Sequence, residues 1–282
     1  MPASAPIVSV CIPTYRGATF VGQAIESVLG QTFGEFELLV VDDNSPDETA
    51  SVVSGYRDSR IRLLRNMRNL GPEGNWNRCL DEARGRYFKL LPQDDVLAPE
   101  CLARQAAVLE ADAHQQIALV FCARNILDPG GRVLLRRGIP GRHSGTIPAG
   151  VVIRRCLRRG TNLIGEPGGV LFRMSLAKQV GGFDADAPYL IDLDYWARLL
   201  CHGDAHYFPE PLASFRVSNE SWSVAIGNKQ TADFGRFMSK TARIPAFAIG
   251  PFDILAGRAM ARLNTYLRLI LYRFVLNRKA PA

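Results

Sequence analysis

Short apolar runs alternate with helical patterns through the first half of the chain. Residues 7–12 read as a strand, 20–29 as a helix and 36–41 as a second strand. A helix follows over 47–56, its start marked by Ser45-Pro46-Asp47-Glu48. Then come a strand at 61–64, a helix at 74–83, a strand at 87–91, a helix at 100–111 after Pro99, and a strand at 117–122. The strands are apolar at nearly every position, as strands covered on both faces are. The alternation predicts an α/β fold with a Rossmann-like, mostly parallel central sheet and helices on both sides.

Sheets of this kind bind ligands beyond the carboxyl ends of their strands. Three polar clusters occupy such ends: Pro13-Thr14-Tyr15-Arg16, Asp42-Asp43-Asn44-Ser45 and Gln93-Asp94-Asp95. Strand ends converge on one crevice, so these clusters are expected to meet there whatever their separation in sequence. No G-x-G-x-x-G follows the first strand and no G-x-x-x-x-G-K-[ST] occurs, which argues against dinucleotide and P-loop enzymes. The second half is less regular, punctuated by Gly130-Gly131, Gly168-Gly169 and Gly181-Gly182. It reads as an extension of the same domain that builds the other wall of the crevice.

With 282 residues, 47% of them hydrophobic, the chain has ample length for a sizeable core. Neither a secretory leader nor an apolar run of the ~20 residues that span a bilayer is evident. Six scattered cysteines without a C-x-x-C pair suit a reducing compartment, and the expected location is cytoplasmic. The net charge of +7 conceals a segregation. Residues 129–165 hold eight arginines and no acid, and six further basic residues follow Asp253, again with no acid. Of 34 basic residues in all, 20 remain elsewhere against 27 acidic ones. An acidic body with two basic segments is not the pattern of a nucleic-acid binder.

The motifs then match something known. VSVCIPTYRG, the helix ending Ser27-Val28-Leu29 with Gln31-Thr32-Phe33 behind it, and FELLVVDDNSPDET resemble the opening of glycosyltransferase family 2. NLGPEGNWNRCLDEARGRYFKLLPQDD resembles that family's middle section, and GGFDADAPYLIDLDYWARL its acceptor-side motif. The resemblance runs from Ile7 to about Ser223, in the family's order and spacing. It implies a GT-A fold and inverting transfer of a hexosyl or deoxyhexosyl group from a nucleotide-sugar donor, usually with Mg²⁺ or Mn²⁺. It implies further a catalytic domain over 1–223, divided into a nucleotide-sugar half (1–123) and an acceptor half (124–223), with a helical basic extension over 224–282.

Carried over residue by residue, the resemblance has Pro13, Thr14 and Tyr15 line the base pocket and Asp43 accept from the base. Asp42 is expected to be structural, its side chain pointing to the other side of the strand end. Asp95 is the candidate for direct metal contact, and Asp94 for the donor ribose or a metal-bound water. Asp192, in Ile191-Asp192-Leu193-Asp194-Tyr195-Trp196, is the candidate general base. Asp194 is read as a cap or an orienter of that base. Asn69, Gly71 and Asn77 match the third-loop pattern, where Arg68 is a candidate phosphate contact. Glu166-Pro167-Gly168-Gly169 is expected to border the acceptor cleft, and Trp196 to be core or a sugar-stacking face. Each acidic motif also has a plainer reading: Asp42-Asp43 as a turn, Asp94-Asp95 as a cap of the following helix, Asp192 as the N-cap of its own.

Three positions depart from the family spelling. Pro92 stands where a further acid is common, Ile191 where a glutamate precedes the base, and Ser218 where many members place a metal-binding histidine. They describe a lean metal site. Near the C-terminus, residues 254–276 form an amphipathic pattern with Leu263, Leu267, Ile270 and Phe274 on one face and Arg258, Arg262 and Arg273 opposite. Two fates fit it: peripheral binding at an anionic membrane surface, or packing on the catalytic domain. The leading expectation is a transferase acting on a glycan or polyprenyl-linked acceptor in surface polysaccharide assembly. A nucleotidyltransferase and a nucleotide-sugar-binding scaffold are the alternatives.

Overall fold

The computed structural model describes residues 5–217 and 229–276, with the side chains of all but 268 and 271–276. The first half builds β1 (Val8–Thr14), α1 (Val21–Leu29), β2 (Phe36–Asp42), α2 (Thr49–Ser54), β3 (Ile61–Arg65), α3 (Gly71–Glu82), β4 (Tyr87–Leu90), β5 (Val96–Leu97) and α4 (Cys101–Ala111). Every residue of β1 and β2 is buried. Alternation sends Val8, Val10 and Ile12 into one core with α1 and α4, while Cys11 joins a second core on the opposite face. Leu38 and Val40 divide from Leu39 and Val41 in the same way. Two apolar faces require two layers of helices, and that requirement is what the continuous apolar runs encoded.

The second half adds β6 (Ile117–Leu127), β7 (Val133–Arg137), β8 (Gly145–Ile147), α5 (Ala149–Arg159), β9 (Val170–Arg173), α6 (Met174–Val180), α7 (Ile191–Leu199) and β10 (Asp204–Arg216). Helices α8 (Gln230–Thr241) and α9 (Pro251–Leu276) follow. The sheet order is β3-β2-β1-β4-β9-β6-β10-β5. Pairing is parallel from β3 through β4; β9 then enters antiparallel between β4 and β6. The sheet is therefore parallel on the donor side and mixed beyond it. β6 runs five residues past the expected 117–122, and β10, which the apolar pattern did not predict, pairs parallel along its length to the Arg216–Leu127 step. This long pairing returns the chain to the crevice.

Local chemistry explains the shifted boundaries. α3 starts at Gly71, three residues before the expected 74, because Gly71 adopts φ 75° and Pro72 then occupies the first turn. All six cysteines are free, and five are buried.

Candidate active site

The first strand delivers Thr14 to the crevice 1% exposed, and its hydroxyl has no hydrogen-bond partner among the described residues. A buried hydroxyl without a partner is costly unless a ligand supplies one. Beside it, Gln93 clamps the backbone of Tyr15: Tyr15 N donates to Oε1 at 2.9 Å, and Nε2 donates to Tyr15 O at 3.1 Å. The Tyr15 ring stays exposed, with the Arg16 guanidinium 5.4 Å from its centre. Gly17 keeps this corner open, since a Cβ there would lie 2.3 Å from Gln93 Oε1 and 2.6 Å from Thr14 Oγ1.

The second strand ends in two buried aspartates with different tasks. Asp42 pairs with Arg65 at 3.2 Å and accepts from Ser45 N, which makes it a fixture of the strand end. Asp43 accepts from Asn66 Nδ2 (2.6 Å), Leu70 N (2.8 Å) and Gly71 N (2.9 Å). It thereby anchors the loop on which Arg68 stands exposed. Asn69 supplies a further acceptor to Gly71 N, and Asn77 binds Phe183 through both backbone N–H and C=O.

At the end of β4, Asp95 is 2% exposed and its Oδ1 accepts Arg216 N at 3.0 Å. Arg216, 3% exposed, also donates from Nε to Asp94 O and from Nη2 to Gln23 Oε1. Burial, reinforced by Asp94 and Glu166, holds the Asp95 carboxyl well above the usual carboxylate range. Among the described residues no three side chains of metal-binding type converge. Two adjacent carboxylates in a field of negative charge nevertheless suit a hard divalent ion that takes its other oxygens from water and phosphates. Ser218 lies outside the described residues, as does Trp222, which the sequence offered beside Trp196 as a sugar-stacking face.

Asp192 sits inside the first turn of α7, whose N-cap is Leu190, so it is not that helix's N-cap. Its Oδ2 accepts Asn162 Nδ2 at 2.9 Å and its Oδ1 the Leu193 N–H at 2.7 Å. Burial raises its pKa from the ordinary carboxylate value to about 7, with the Glu166 charge adding to the rise. Ile191 points into the core. Asp194 turns away and pairs with Arg198 (3.0 Å) and Lys240 (2.7 Å), tying α7 to α8. Trp196 is wholly buried and donates to Gly165 O at 3.1 Å, so it is core.

Two residues missed by the sequence reading, Arg124 and Asn162, hold this side together with Glu166, which that reading had expected at the acceptor cleft. Arg124 on β6, 3% exposed, pairs through Nε with Glu166 at 2.5 Å and caps the carbonyls of Leu163 and Asn162. The guanidinium keeps Glu166 ionised, below its ordinary pKa. Asn162 closes the loop on itself through Gly165 and presents its amide to Asp192. The negative charge of Glu166 acts on Asp95 and Asp192 alike, so the two carboxyls share one electrostatic neighbour. Only the Glu166-Pro167-Gly168-Gly169 stretch gave a signal; a lone Arg in an apolar strand or an Asn in a loop gives none.

A mixed sheet parallel from β3 through β4, covered by helices and carrying an acid pair beyond the end of β4, is the fold of a GT-A glycosyltransferase. The chain belongs to glycosyltransferase family 2: the family profile described as Glycosyl transferase family 2 matches residues 9–181. An uncharacterized protein of Mycobacterium tuberculosis is 30% identical over 96% of this chain and 86% of its own length. A GalNAc(5)-diNAcBac-PP-undecaprenol beta-1,3-glucosyltransferase of Campylobacter jejuni is 37% identical over 41% of this chain and 37% of its own. The structure of a mannosyltransferase from Pyrobaculum calidifontis, in complex with GDP-Man and Mn²⁺, superimposes with a TM-score of 0.60 at 19% identity, covering 97% of this chain and 84% of that one. No helix among the described residues is long and apolar enough to cross a membrane.

Proposed function

We propose that the enzyme transfers a sugar, with inversion, from a nucleotide sugar to a hydroxyl of a lipid-linked glycan during surface polysaccharide assembly, working at the inner face of the cytoplasmic membrane. The observation that supports the mechanism is the Asp192 carboxyl, held in place by Asn162 Nδ2 and the Leu193 N–H and raised toward neutrality by burial. A carboxylate with a pKa of about 7 is a competent general base at physiological pH.

In this reading Pro13, Thr14 and Tyr15 frame the base, and the unpartnered Thr14 hydroxyl gains its partner from the nucleotide. Asp43 holds the loop that bears the exposed Arg68, which would reach the diphosphate. Asp95, with Asp94 beside it, would hold Mg²⁺ or Mn²⁺, which supplies charge neutralisation to the leaving diphosphate. Asp192 takes the acceptor proton as the acceptor oxygen bonds to the anomeric carbon. The carbon–oxygen bond to the diphosphate breaks on the opposite face, and its electron pair leaves with the nucleotide. Asn162 fixes the orientation of the base, and ionised Glu166 accepts hydrogen bonds from sugar hydroxyls between the two centres. The lipid-linked acceptor is drawn from the Campylobacter relative.

The test is turnover of a nucleotide-sugar panel with and without Mn²⁺ and a polyprenyl-diphosphate glycan acceptor, with the anomeric configuration of product read by NMR. Product of inverted configuration is expected. Donor binding without hydrolysis or transfer under any condition would leave a nucleotide-sugar-binding protein instead.

A further inference from the structure

Helix α9 is oriented against the usual rule. Its inward face is made of small or polar residues: Asp253, Gly257 and Ala261 are buried, and Asn264 donates to the carbonyls of Arg159 and Gly160. The backbones meet closely there. A Cβ on Gly257 would lie 2.8 Å from Leu157 O, and one on Gly160 2.3 Å from Ala261 N. The large apolar side chains point the other way. Phe252, Leu255, Leu263, Tyr266 and Ile270, with Ala259 among them, recur in steps of three and four and form one stripe facing solvent. Phe252, Leu255, Tyr266 and Ile270 are each more than 60% exposed. Of the twelve exposed large hydrophobic side chains among the described residues, seven belong to this helix. A helix selected only to pack on the domain would bury that stripe.

Charge says what covers it. The acid on α9, Asp253, is buried and paired with Arg158, whose guanidinium also lies 5.7 Å from the Phe252 ring. Arg258 and Arg262 stand exposed, with no carboxylate partner among the described residues. They wall a recess of ≈ 370 Å³ between α8 and α9, together with the hydroxyl-bearing Thr231 and Ser239. An apolar stripe bordered by unpaired arginines and hydroxyls complements a surface that is apolar inside and phosphate-rich at its edge.

We propose that α9 is an in-plane anchor for an anionic lipid bilayer: the stripe from Phe252 to Ile270 inserts among acyl chains, and Arg258 and Arg262 bind lipid phosphates at the mouth of the recess. The inference rests on the proposed lipid-linked acceptor and names the surface that brings the enzyme to it. α8 reaches the catalytic side through Asp233, which accepts from Tyr189 N, and through the Lys240–Asp194 pair, so the anchor is built against the helix that carries Asp192.

The test is flotation of the full chain with phosphatidylcholine vesicles containing or lacking 30 mol% phosphatidylglycerol. Wild type is expected to float with the anionic vesicles and not with the neutral ones. L255E/Y266E and R258E/R262E should each lower partitioning at least about tenfold, with thermal transitions within a degree or two of wild type because these side chains are exposed. Donor hydrolysis in lipid-free buffer should be unchanged in both variants. Absence of flotation by a wild type that hydrolyses donor would overturn the anchor and leave the catalytic reading intact. Loss of hydrolysis in wild type would remove the catalytic reading, with flotation then judged alone. If L255E/Y266E instead turns a dimer into a monomer in light scattering and leaves flotation unchanged, the stripe is a self-association face and the proposal fails.

Discussion

Replacing Asp192 by asparagine separates two consequences of burying a catalytic carboxyl. Its pKa stands at about 7 in the folded chain against the 3.8 of an ordinary aspartate. Below pH ~4 the group is protonated in both states, and asparagine should mimic it apart from one local cost. Of the two donors on the carboxyl, the Leu193 N–H and Asn162 Nδ2, one would face the new amide nitrogen, a penalty of about 1 kcal/mol independent of pH. Between the two pKa values the unfolded chain gives up the proton while the folded chain keeps it, so wild-type stability falls as pH rises and levels off above pH ~7. A gap of about three units is worth about 4 kcal/mol. Asp192→Asn removes that loss, so the variant should be the more stable protein at pH 8 and no better than wild type near pH 4. Urea unfolding of both proteins at half-unit steps from pH 4.5 to 8.5, in lipid-free buffer, measures the difference. Transfer should fall by about two to four orders of magnitude at every pH while donor affinity is kept. A stability difference that does not change with pH, or transfer at the wild-type rate, would refute the argument.

Glu166→Gln takes a negative charge away from Asp192 and frees Arg124 beside it, so ionising the base becomes easier; the acid limb of the kcat/KM profile should move down by about one pH unit. Gly17→Ala drives a methyl into Gln93 Oε1 and Thr14 Oγ1, and nucleotide affinity measured by calorimetry should drop at least about tenfold with the fold retained. Asp95→Asn removes a carboxyl that would ligate the ion; any Mn²⁺ stimulation of donor hydrolysis should disappear, with activity down at least about a hundredfold.

The fold was legible wherever one element owned its periodicity. Runs such as 38–41 are apolar on both faces and read as central strands, and the strand-end acids then had one place to go. Residues whose meaning depends on a distant partner were not legible. Gln93 reads as a polar loop residue until Tyr15 is brought against it across a sequence separation of 78. Arg216 is a strand-end arginine until the unpredicted β10 pairing returns it to Asp95. Asp43 shows the opposite limit. Its place was clear, but the competition for its oxygens among Asn66, Leu70 and Gly71 depends on a loop conformation set by the positive φ of Gly71.

The segment from Asn162 to Gly169 ties together the elements that carry the proposed donor-side and acceptor-side carboxylates. Four buried donors from separate elements hold it: Arg124 from β6 at the carbonyls of Asn162 and Leu163, Trp196 from α7 at Gly165, Lys89 from β4 at Gly168, and Gln105 from α4 at Gly169. Lys89 is completely buried and, among the described residues, has backbone carbonyls rather than a carboxylate for partners. Leaving a charged donor without those carbonyls would cost several kcal/mol, so the turn cannot lift from the sheet cheaply. At its centre Gly168 lies against Asp95, where a Cβ would be 3.8 Å from Oδ2, and two residues earlier Glu166 feels Asp192. A shift that moved one carboxylate would therefore move the field at the other. In the proposed reaction this strap, rather than either aspartate's own element alone, would fix how Asp192 stands to the donor-side acids.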